Sequence, residues 1–330
     1  MVPIYFVRCG ASRIAIAVFM PHLPSQRPPT IDANAASRWE QCAKLADPVA
    51  SVWLHEEVAR RMQERLQWIV KQPTRWLHWQ PLRGGLAVHT TLAQRYPQAQ
   101  CVVFQTPKLA AMQVQRSLTK PWWDARGWRV PAAQFETPPA PVQMLWANMA
   151  LHMAADPQAL ITRWHQLLEL DGFLMFSCLG PDTLRELRQL YAALEWPAPA
   201  HEFTDMHDWG DMLVQAGFAE PVMDMERITL TFSSPEHLLA ELRGLGRNLH
   251  PKRFSGLRGR GWHAALKAQI TQQLADPAQP ERLRLSFEII YGHAFKPPPR
   301  ISVGAQTNVS LDLFRSALQK KSYPPPVSVG

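Results

Sequence analysis

The sequence predicts an α/β fold with a mostly parallel, twisted sheet and helices on both faces. One observation is a pair of apolar runs at 142–147 and 173–177, separated by a helical stretch. Two buried strands joined by a helix form a parallel βαβ unit. The second observation is an earlier pair of short apolar runs, 75–79 and 101–104, again separated by a helical pattern. Strands that alternate with helices favour one parallel sheet.

The first half of the chain supplies the helices around these strands. A helical pattern begins at Ser37, and a stronger one carries an apolar stripe at steps of three and four until Pro73 ends it. The stripe consists of Val58, Met62, Leu66 and Ile69. Further predicted elements are helices over 86–96 and 107–118 and a third strand near 128–132.

The second half predicts an antiparallel addition to the sheet. An Asp171-Gly172 turn leads into the strand at 173–177. Ser234-Pro235 is a helix-opening pair, and Gly217 ends the helix before it. The elements predicted here are helices over 181–194 and 208–216, a strand over 221–232, helices over 235–245 and 262–274, and a strand over 283–291.

Prolines are frequent in the chain, at 30 of 330 residues, and clusters of them mark the ends of the predicted domain. We expect a flexible extension over 1–34, one folded domain over 35–295, and a mostly disordered tail over 296–330 with a short amphipathic piece at 311–318.

Composition narrows the functional classes. The four cysteines lie far apart without paired spacing, which argues against a zinc site or a disulfide framework and favours the cytoplasm. Apolar runs fall short of the roughly 20 residues that cross a bilayer, so no membrane partner is expected. The net charge of +8 makes an acidic partner plausible without identifying it. The oligomeric state is left open.

Ligands of open α/β sheets bind outside the carboxyl ends of the strands. Asn148 follows the strand at 142–147, and Gln105 follows the strand at 101–104. Gly84 and Gly85 close the turn after the first strand, where glycine allows a ligand to approach the backbone. We therefore expect a ligand cleft bordered by these four residues.

Two segments carry a resemblance to a known family. The first is Trp146-Ala-Asn148-Met-Ala150, and the second is Leu242-Arg243-Gly244-Leu245-Gly246. Over residues 35–295 the chain resembles the class I S-adenosylmethionine-dependent methyltransferases, which share a Rossmann-like fold. Within them it is most similar to the malonyl-acyl carrier protein O-methyltransferases of biotin synthesis, which usually carry a tyrosine at the position of Trp39.

The resemblance implies S-adenosylmethionine as methyl donor and O-methylation of a malonyl-type acyl thioester. It also implies that the N-terminal helical segment covers the donor site, with Trp39 contacting ligand or, alternatively, serving as a core aromatic. Methyl transfer to an ionised carboxylate needs alignment and exclusion of water rather than a general base, so no catalytic residue is assigned.

The chain departs from the family at the donor motif, hydrophobic-Leu-Asp-Leu-Gly-x-Gly-x-Gly. His78 replaces the aspartate, Gln80 and Leu82 replace two glycines, and Gln105 replaces the acid after the second strand. A neutral amide accepts hydrogen bonds more weakly than a carboxylate does. We therefore expect weakened donor binding, and the competing hypothesis is a non-catalytic methyltransferase-fold protein that binds an acyl carrier protein or another subunit.

A basic segment follows the second family motif. Its candidate substrate or partner residues are Arg243, Arg247, Arg253 and Arg258, with Lys252 and Arg260 nearby. In the family this location suits an acidic carrier protein, whereas a solvated loop is an equal alternative and nucleic acid a lesser one. The segment has no acidic residue of its own, so reversing Arg253 and Arg258 to Glu is expected to slow carrier-protein association without changing thermal stability.

Overall fold

A computed structural model describes residues 31–41, 52–118 and 141–298. The predicted third strand near 128–132 and the amphipathic piece at 311–318 lie outside the described residues, as do the first 30 residues. The strands are β1 Arg75–Trp79, β2 Gln100–Phe104, β3 Val142–Ala147, β4 Leu168–Leu179, β5 Ala219–Phe232, β6 Ala275–Asp276 and β7 Gln279–Phe295.

The described strands form one seven-stranded sheet in the order β2-β1-β3-β4-β7-β5, with β6 paired to β7. Strands β2, β1, β3 and β4 run parallel to one another. Strand β7 is antiparallel to both β4 and β5. The predicted fold class, a mostly parallel sheet with an antiparallel C-terminal addition, is confirmed.

Helices cover both faces of this sheet. They are α1 Ala33–Gln41, α2 Trp53–Arg65, α3 Pro81–Gly84, α4 Val88–Arg95, α5 Lys108–Leu118, α6 Pro157–Leu167, α7 Arg185–Ala193, α8 Met206–Gln215, α9 Pro235–Leu245 and α10 Arg260–Gln273. Side chains of β3 alternate between two cores, because successive residues of a strand point to opposite faces. Met144 and Trp146 pack with α2, α4 and α7, whereas Leu145 and Ala147 pack with α6 and α8.

The apolar stripe of α2 is buried as predicted. Val58, Met62 and Leu66 are each fully buried in the larger core. The α-helix itself ends at Arg65, before the predicted end, and a short 3-10 turn carries Leu66 to Trp68. The stripe places α2 across the sheet, close to the carboxyl end of β3.

Two predicted boundaries differ from the structure. Asp171 and Gly172 lie inside the long β4, where 169–172 bulge opposite the single residue Gln143 instead of forming a separate turn. Helix α7 begins at Arg185 rather than at 181. The preceding residues form a turn because Leu184 N donates to Ser286 O of β7 at 2.8 Å, which holds their backbone against the sheet.

Both ends of the predicted domain have tertiary contacts. Helix α1 begins at Ala33, and Asp32 caps it by accepting from Ala35 N at 3.0 Å. After β7, Lys296 donates through Nζ to the carbonyls of His165 and Leu168 at 2.9 and 2.7 Å. Asp32 N also donates to Leu249 O at 2.8 Å, so residues just outside 35–295 contact the fold, and the bounds of the domain stay a prediction.

Candidate functional site

A cavity of about 440 Å³ opens at the carboxyl ends of β1, β2 and β3, the edge where the sequence predicts a ligand cleft. Its volume lies within the roughly 300–1,000 Å³ of small-molecule sites. Helix α1 and the end of α9 form its other walls. Its described lining includes Trp39, Glu40, Val52, His55, Trp79, Gln80, Leu82, Arg83, Gly84, Phe104, Thr106, Asn148, Met149, Met153, Leu160, Arg163, Gly244 and Leu245.

Asn148 is the buried polar centre of this edge. Its Nδ2 donates to the carbonyl oxygens of His55, at 2.9 Å, and of Gly84. Its Oδ1 accepts from Ser177 Oγ at 2.6 Å, and Ser177 Oγ in turn accepts from Met149 N at 3.0 Å. Asn148 therefore joins α2, the turn after β1 and the end of β4. Its predicted contact with a ligand stays a prediction, although it lines the cavity.

The two predicted glycines make close contacts within the protein. A Cβ on Gly84 would lie 2.7 Å from the carbonyl oxygen of Asn148. Gly85 has a φ of 103°, which favours glycine, and packs against Ala59 and His55 of α2. Gly84 lines the cavity and Gly85 lies behind it. The glycines permit the turn to approach β3 and α2, and ligand contact by either stays a prediction.

Gln105 is buried beside the cavity, and its amide is fully used by the protein. Its Oε1 accepts from Leu82 N at 3.0 Å. Its Nε2 donates to Gln80 Oε1 and Thr106 O at 2.7 and 2.8 Å. Gln80 donates onward to Thr106 Oγ1 at 2.7 Å. These hydrogen bonds hold the turn after β1, where the family pattern has glycines. A direct ribose contact by Gln105 stays a prediction.

Two groups of aromatic side chains line the cavity. In the first, Trp79 and Phe104 stack at 4.3 Å between ring centroids, and the guanidinium of Arg163 lies 4.7 Å from the Phe104 centroid. In the second, Arg83 lies 4.4 Å and Arg247 5.3 Å from the centre of the Trp39 indole. Flat rings in the lining suit a ligand with a planar base.

His55 is a site residue that the sequence reasoning missed. It is 4% exposed and lines the cavity. Its Nδ1 donates to Arg83 O at 2.6 Å, while Nε2 has no partner within the described residues. Burial lowers the pKa of His55, so the neutral ring presents Nε2 as a bare acceptor. The sequence alone carries no signal for it, because its place depends on how α2 crosses β3.

The basic segment between α9 and α10 differs from its prediction at one point. Arg253 does have an acidic neighbour, since it forms a 2.8 Å ion pair with Asp32, 221 positions away. Arg258 stacks on Phe254 and Trp262 at 3.8 and 4.4 Å. Reversing these two arginines therefore disturbs contacts that hold α1 and α10, and unchanged stability is no longer expected. Arg243 and Arg247 are exposed, next to the cavity.

The described residues contain no group of three or more His, Cys, Asp or Glu side chains arranged to hold a metal. Cys101 and Cys178 are buried free thiols. Within the same residues, no helix is long and apolar enough to span a bilayer.

Curated relatives match most of the chain. A malonyl-[acyl-carrier protein] O-methyltransferase of Gallionella capsiferriformans is 38% identical over 267 residues, which cover 77% of this chain and 87% of the relative. Proteins of the same name match from Laribacter hongkongensis, at 36% identity over 75% and 84% of the two chains, and from Nitrosospira multiformis, at 33% over 80% and 89%.

Solved structures give weaker matches, and no family model matches the chain. The YcgJ protein of Bacillus subtilis is 13% identical, with a TM-score of 0.46 over 73% of this chain and 99% of that one. The [4+2]-cyclase SpnF is 19% identical, with a TM-score of 0.43 over 77% and 85%.

Proposed function

The chain belongs to the malonyl-[acyl-carrier protein] O-methyltransferases, and from this premise we propose that it methylates the free carboxylate of a malonyl thioester on acyl carrier protein during biotin synthesis. The methyl donor is S-adenosylmethionine. The observation that supports retained function is the open cavity at the carboxyl ends of β1–β3, which persists although the donor motif has lost two glycines and two acids.

The cavity residues fit such a donor. S-adenosylmethionine, when bound, supplies an electrophilic methyl carbon. Trp39 and the Trp79–Phe104 stack provide flat walls for its adenosyl part, and His55 Nε2 provides a buried acceptor for its ammonium or hydroxyl groups.

The protein's task in this reaction is to hold two reactants in line and exclude water. The malonyl carboxylate is ionised at pH 7 and needs no general base. Arg83 and Arg163 line the cavity, whereas Glu40 is its one acidic residue within the described lining. This excess of positive charge favours a carboxylate acceptor. Helix α1 contributes Trp39 and Glu40 to the cavity lining, and a wall over bound reactants favours the exclusion of water.

A non-catalytic role is the second candidate, and a specific observation favours it. Gln105 and Gly84 serve contacts within the protein where the family pattern has donor ligands. Labelled S-adenosylmethionine incubated with malonyl-acyl carrier protein separates the two. If methyl label appears on the carrier protein and a competing malonyl thioester suppresses it, the chain is a methyltransferase. Binding of the carrier protein without methyl transfer supports the non-catalytic role.

Replacing Trp39 tests the donor site. We expect Trp39→Ala to weaken donor binding about tenfold, because it removes a stacking wall, and Trp39→Tyr to retain most of it. Calorimetric titration with S-adenosylhomocysteine measures this. Trp68→Ala is the control, since that indole is 78% exposed and lies outside the cavity. Equal affinity of Trp39→Ala and wild type would remove Trp39 from the site.

The exposed basic residues supply the test for carrier-protein docking. Lys252 and Arg260 are exposed and form no ion pair within the described residues. We expect Lys252→Glu with Arg260→Glu to slow association with acyl carrier protein, mainly at low salt, because rim charges act on association rates. Stopped-flow measurements over a salt series check this.

The matched control is Lys108→Glu with Arg116→Glu on α5, which changes the net charge equally at exposed positions outside the basic segment. If both double variants slow association alike, net charge rather than this segment attracts the carrier. We place the reaction in the cytoplasm as part of the same proposal, since free buried thiols persist in a reducing compartment.

A further inference from the structure

A second cavity, of about 100 Å³, lies beside the first at the carboxyl ends of β3 and β4. Met153 and Leu245 line both cavities, so the two spaces share a wall. Most of the second lining is apolar, with side chains from α7, α9 and the 199–203 segment. Its polar members include His152, His201 and Asn248.

A third cavity, of about 220 Å³, adjoins the second. Pro199 and Ala200 line both. Arg188, Tyr191 and His250 also line the third cavity. The second cavity thus shares lining residues with both the first and the third, and α7 contributes Arg188 and Tyr191 to the third.

Two polar atoms along this path are buried without partners. His201 Nε2 donates to His152 O at 2.8 Å, which leaves Nδ1 as a bare acceptor with no partner in the described structure. Burial lowers the pKa of His201 to about 4, so this ring stays neutral at pH 7. An unpaired buried acceptor is costly, and a ligand N–H relieves that cost.

Arg188 carries the second unpaired atom. Its Nη2 donates to His201 O at 2.9 Å and its guanidinium lies 5.2 Å from the Phe203 ring centre, but its Nε has no partner. No carboxylate of the described chain lies within ion-pair distance of this half-buried cation. Glu202 also lines the third cavity but is solvent-exposed, which screens its charge. An anion at Arg188 would complete the site.

We propose that the three cavities form one passage for the phosphopantetheine arm of an acyl carrier thioester, with its phosphate at Arg188 and its acyl carboxylate in the first cavity. This inference rests on the proposed function. A phosphopantetheine arm carries an anionic phosphate at one end, amide N–H groups along its length and a thioester at the other. This order matches Arg188, the free acceptor of His201 and the donor cavity.

Arg188→Gln tests the phosphate contact, because glutamine keeps a donor for His201 O and removes the charge. We expect the KM for malonyl-phosphopantetheine to rise about tenfold or more, with kcat and the KM for malonyl-pantetheine, which lacks the phosphate, nearly unchanged. Arg188→Lys should recover part of the effect. Arg185→Gln is the matched control, as it neutralises an exposed arginine on the same helix outside the passage.

Equal KM changes for the phosphorylated and unphosphorylated substrates, or no change for either, would overturn the proposal. The melting temperature of each variant shows whether it folds. If Arg188→Gln does not fold, the KM values of Arg188→Lys for the phosphorylated and unphosphorylated substrates are compared instead.

A binding measurement separates this inference from the proposed function. Phosphopantetheine without an acyl group is titrated into the full chain and followed by calorimetry. One outcome is that wild type binds phosphopantetheine, that Arg188→Gln weakens this binding, and that the chain methylates no malonyl thioester. This outcome supports the passage and contradicts the proposed reaction. Methyl transfer by wild type without Arg188-dependent phosphopantetheine binding contradicts the passage alone.

Discussion

The folded chain is expected to lose stability steeply as the pH falls below about 6.5. Burial is the largest cause of a lowered pKa in His55, His78, His152 and His201. Nearby imidazoles add to it, since His89 lies against His78, and His55 and His201 lie near His152. The folded state therefore keeps these rings neutral under conditions where the unfolded chain charges them.

The number of protons bound by the folded and the unfolded chain determines whether stability rises or falls with pH. An unfolded histidine has a pKa near 6.5, whereas the folded values lie lower, about 4 for His201. Between the two, the unfolded chain binds protons that the folded chain excludes, so the free energy of unfolding falls with pH. Each such histidine removes about 1.4 kcal/mol per pH unit within this window. The loss begins near pH 6.5 and continues until the folded rings take up protons.

Urea unfolding at pH 7.5 and pH 5.5 measures this loss, and His78→Leu isolates one contributor. His78 is fully buried, and its Nδ1 lies 3.2 Å from His89 Nδ1. The variant is expected to be less stable at pH 7.5, because it loses this contact, yet to lose about 1 kcal/mol less than wild type on acidification. His207→Gln, at an exposed position, is the control. Equal acid losses in wild type and His78→Leu would contradict this account.

Gly84→Ala is expected to destabilise the chain by about 2–3 kcal/mol, the upper part of the range for overpacking. The added Cβ would lie 2.7 Å from Asn148 O. Because the obstructing atom belongs to the backbone after β3, no side-chain rotation can relieve the contact. The turn must move, and this strains the hydrogen bond from Asn148 Nδ2 to Gly84 O.

Gly210→Ala is the matched control, because a Cβ there meets no atom within 4 Å. Gly210 lies inside α8, so alanine should stabilise the helix by about 0.5–1 kcal/mol. Thermal or urea unfolding gives both values, and calorimetry shows whether Gly84→Ala also weakens donor binding at the displaced turn. A Gly84→Ala chain as stable as wild type would mean that the turn tolerates a side chain.

The sequence predicted the sheet from local periodicity. The runs at 75–79, 101–104 and 142–147 became β1, β2 and β3, and the stripe on α2 became core. Such patterns are readable because backbone geometry fixes a period of two in strands and 3.6 in helices. The same reasoning placed the cleft at the carboxyl ends of the strands, where the main cavity lies.

The sequence predicted the ends of individual helices and strands less well. Asp171-Gly172 has the composition of a turn, yet β4 runs through it. The flanking residues Leu168 and Phe173 pair with β3, and backbone hydrogen bonds with Lys296 hold Asp171 and Gly172 on the other side. Turn propensity is worth little against several tertiary hydrogen bonds.

The sequence by itself determined the fold class, the family resemblance and the edge of the sheet where the 440 Å³ cavity lies. Only the tertiary structure decided which side chains face that site. His55 reaches the cavity because α2 crosses β3, and Arg253 meets Asp32 across 221 positions. Gln105 uses its amide within the protein because Gln80 and Leu82 N lie within reach. These contacts join residues far apart in the chain, and no local period encodes them.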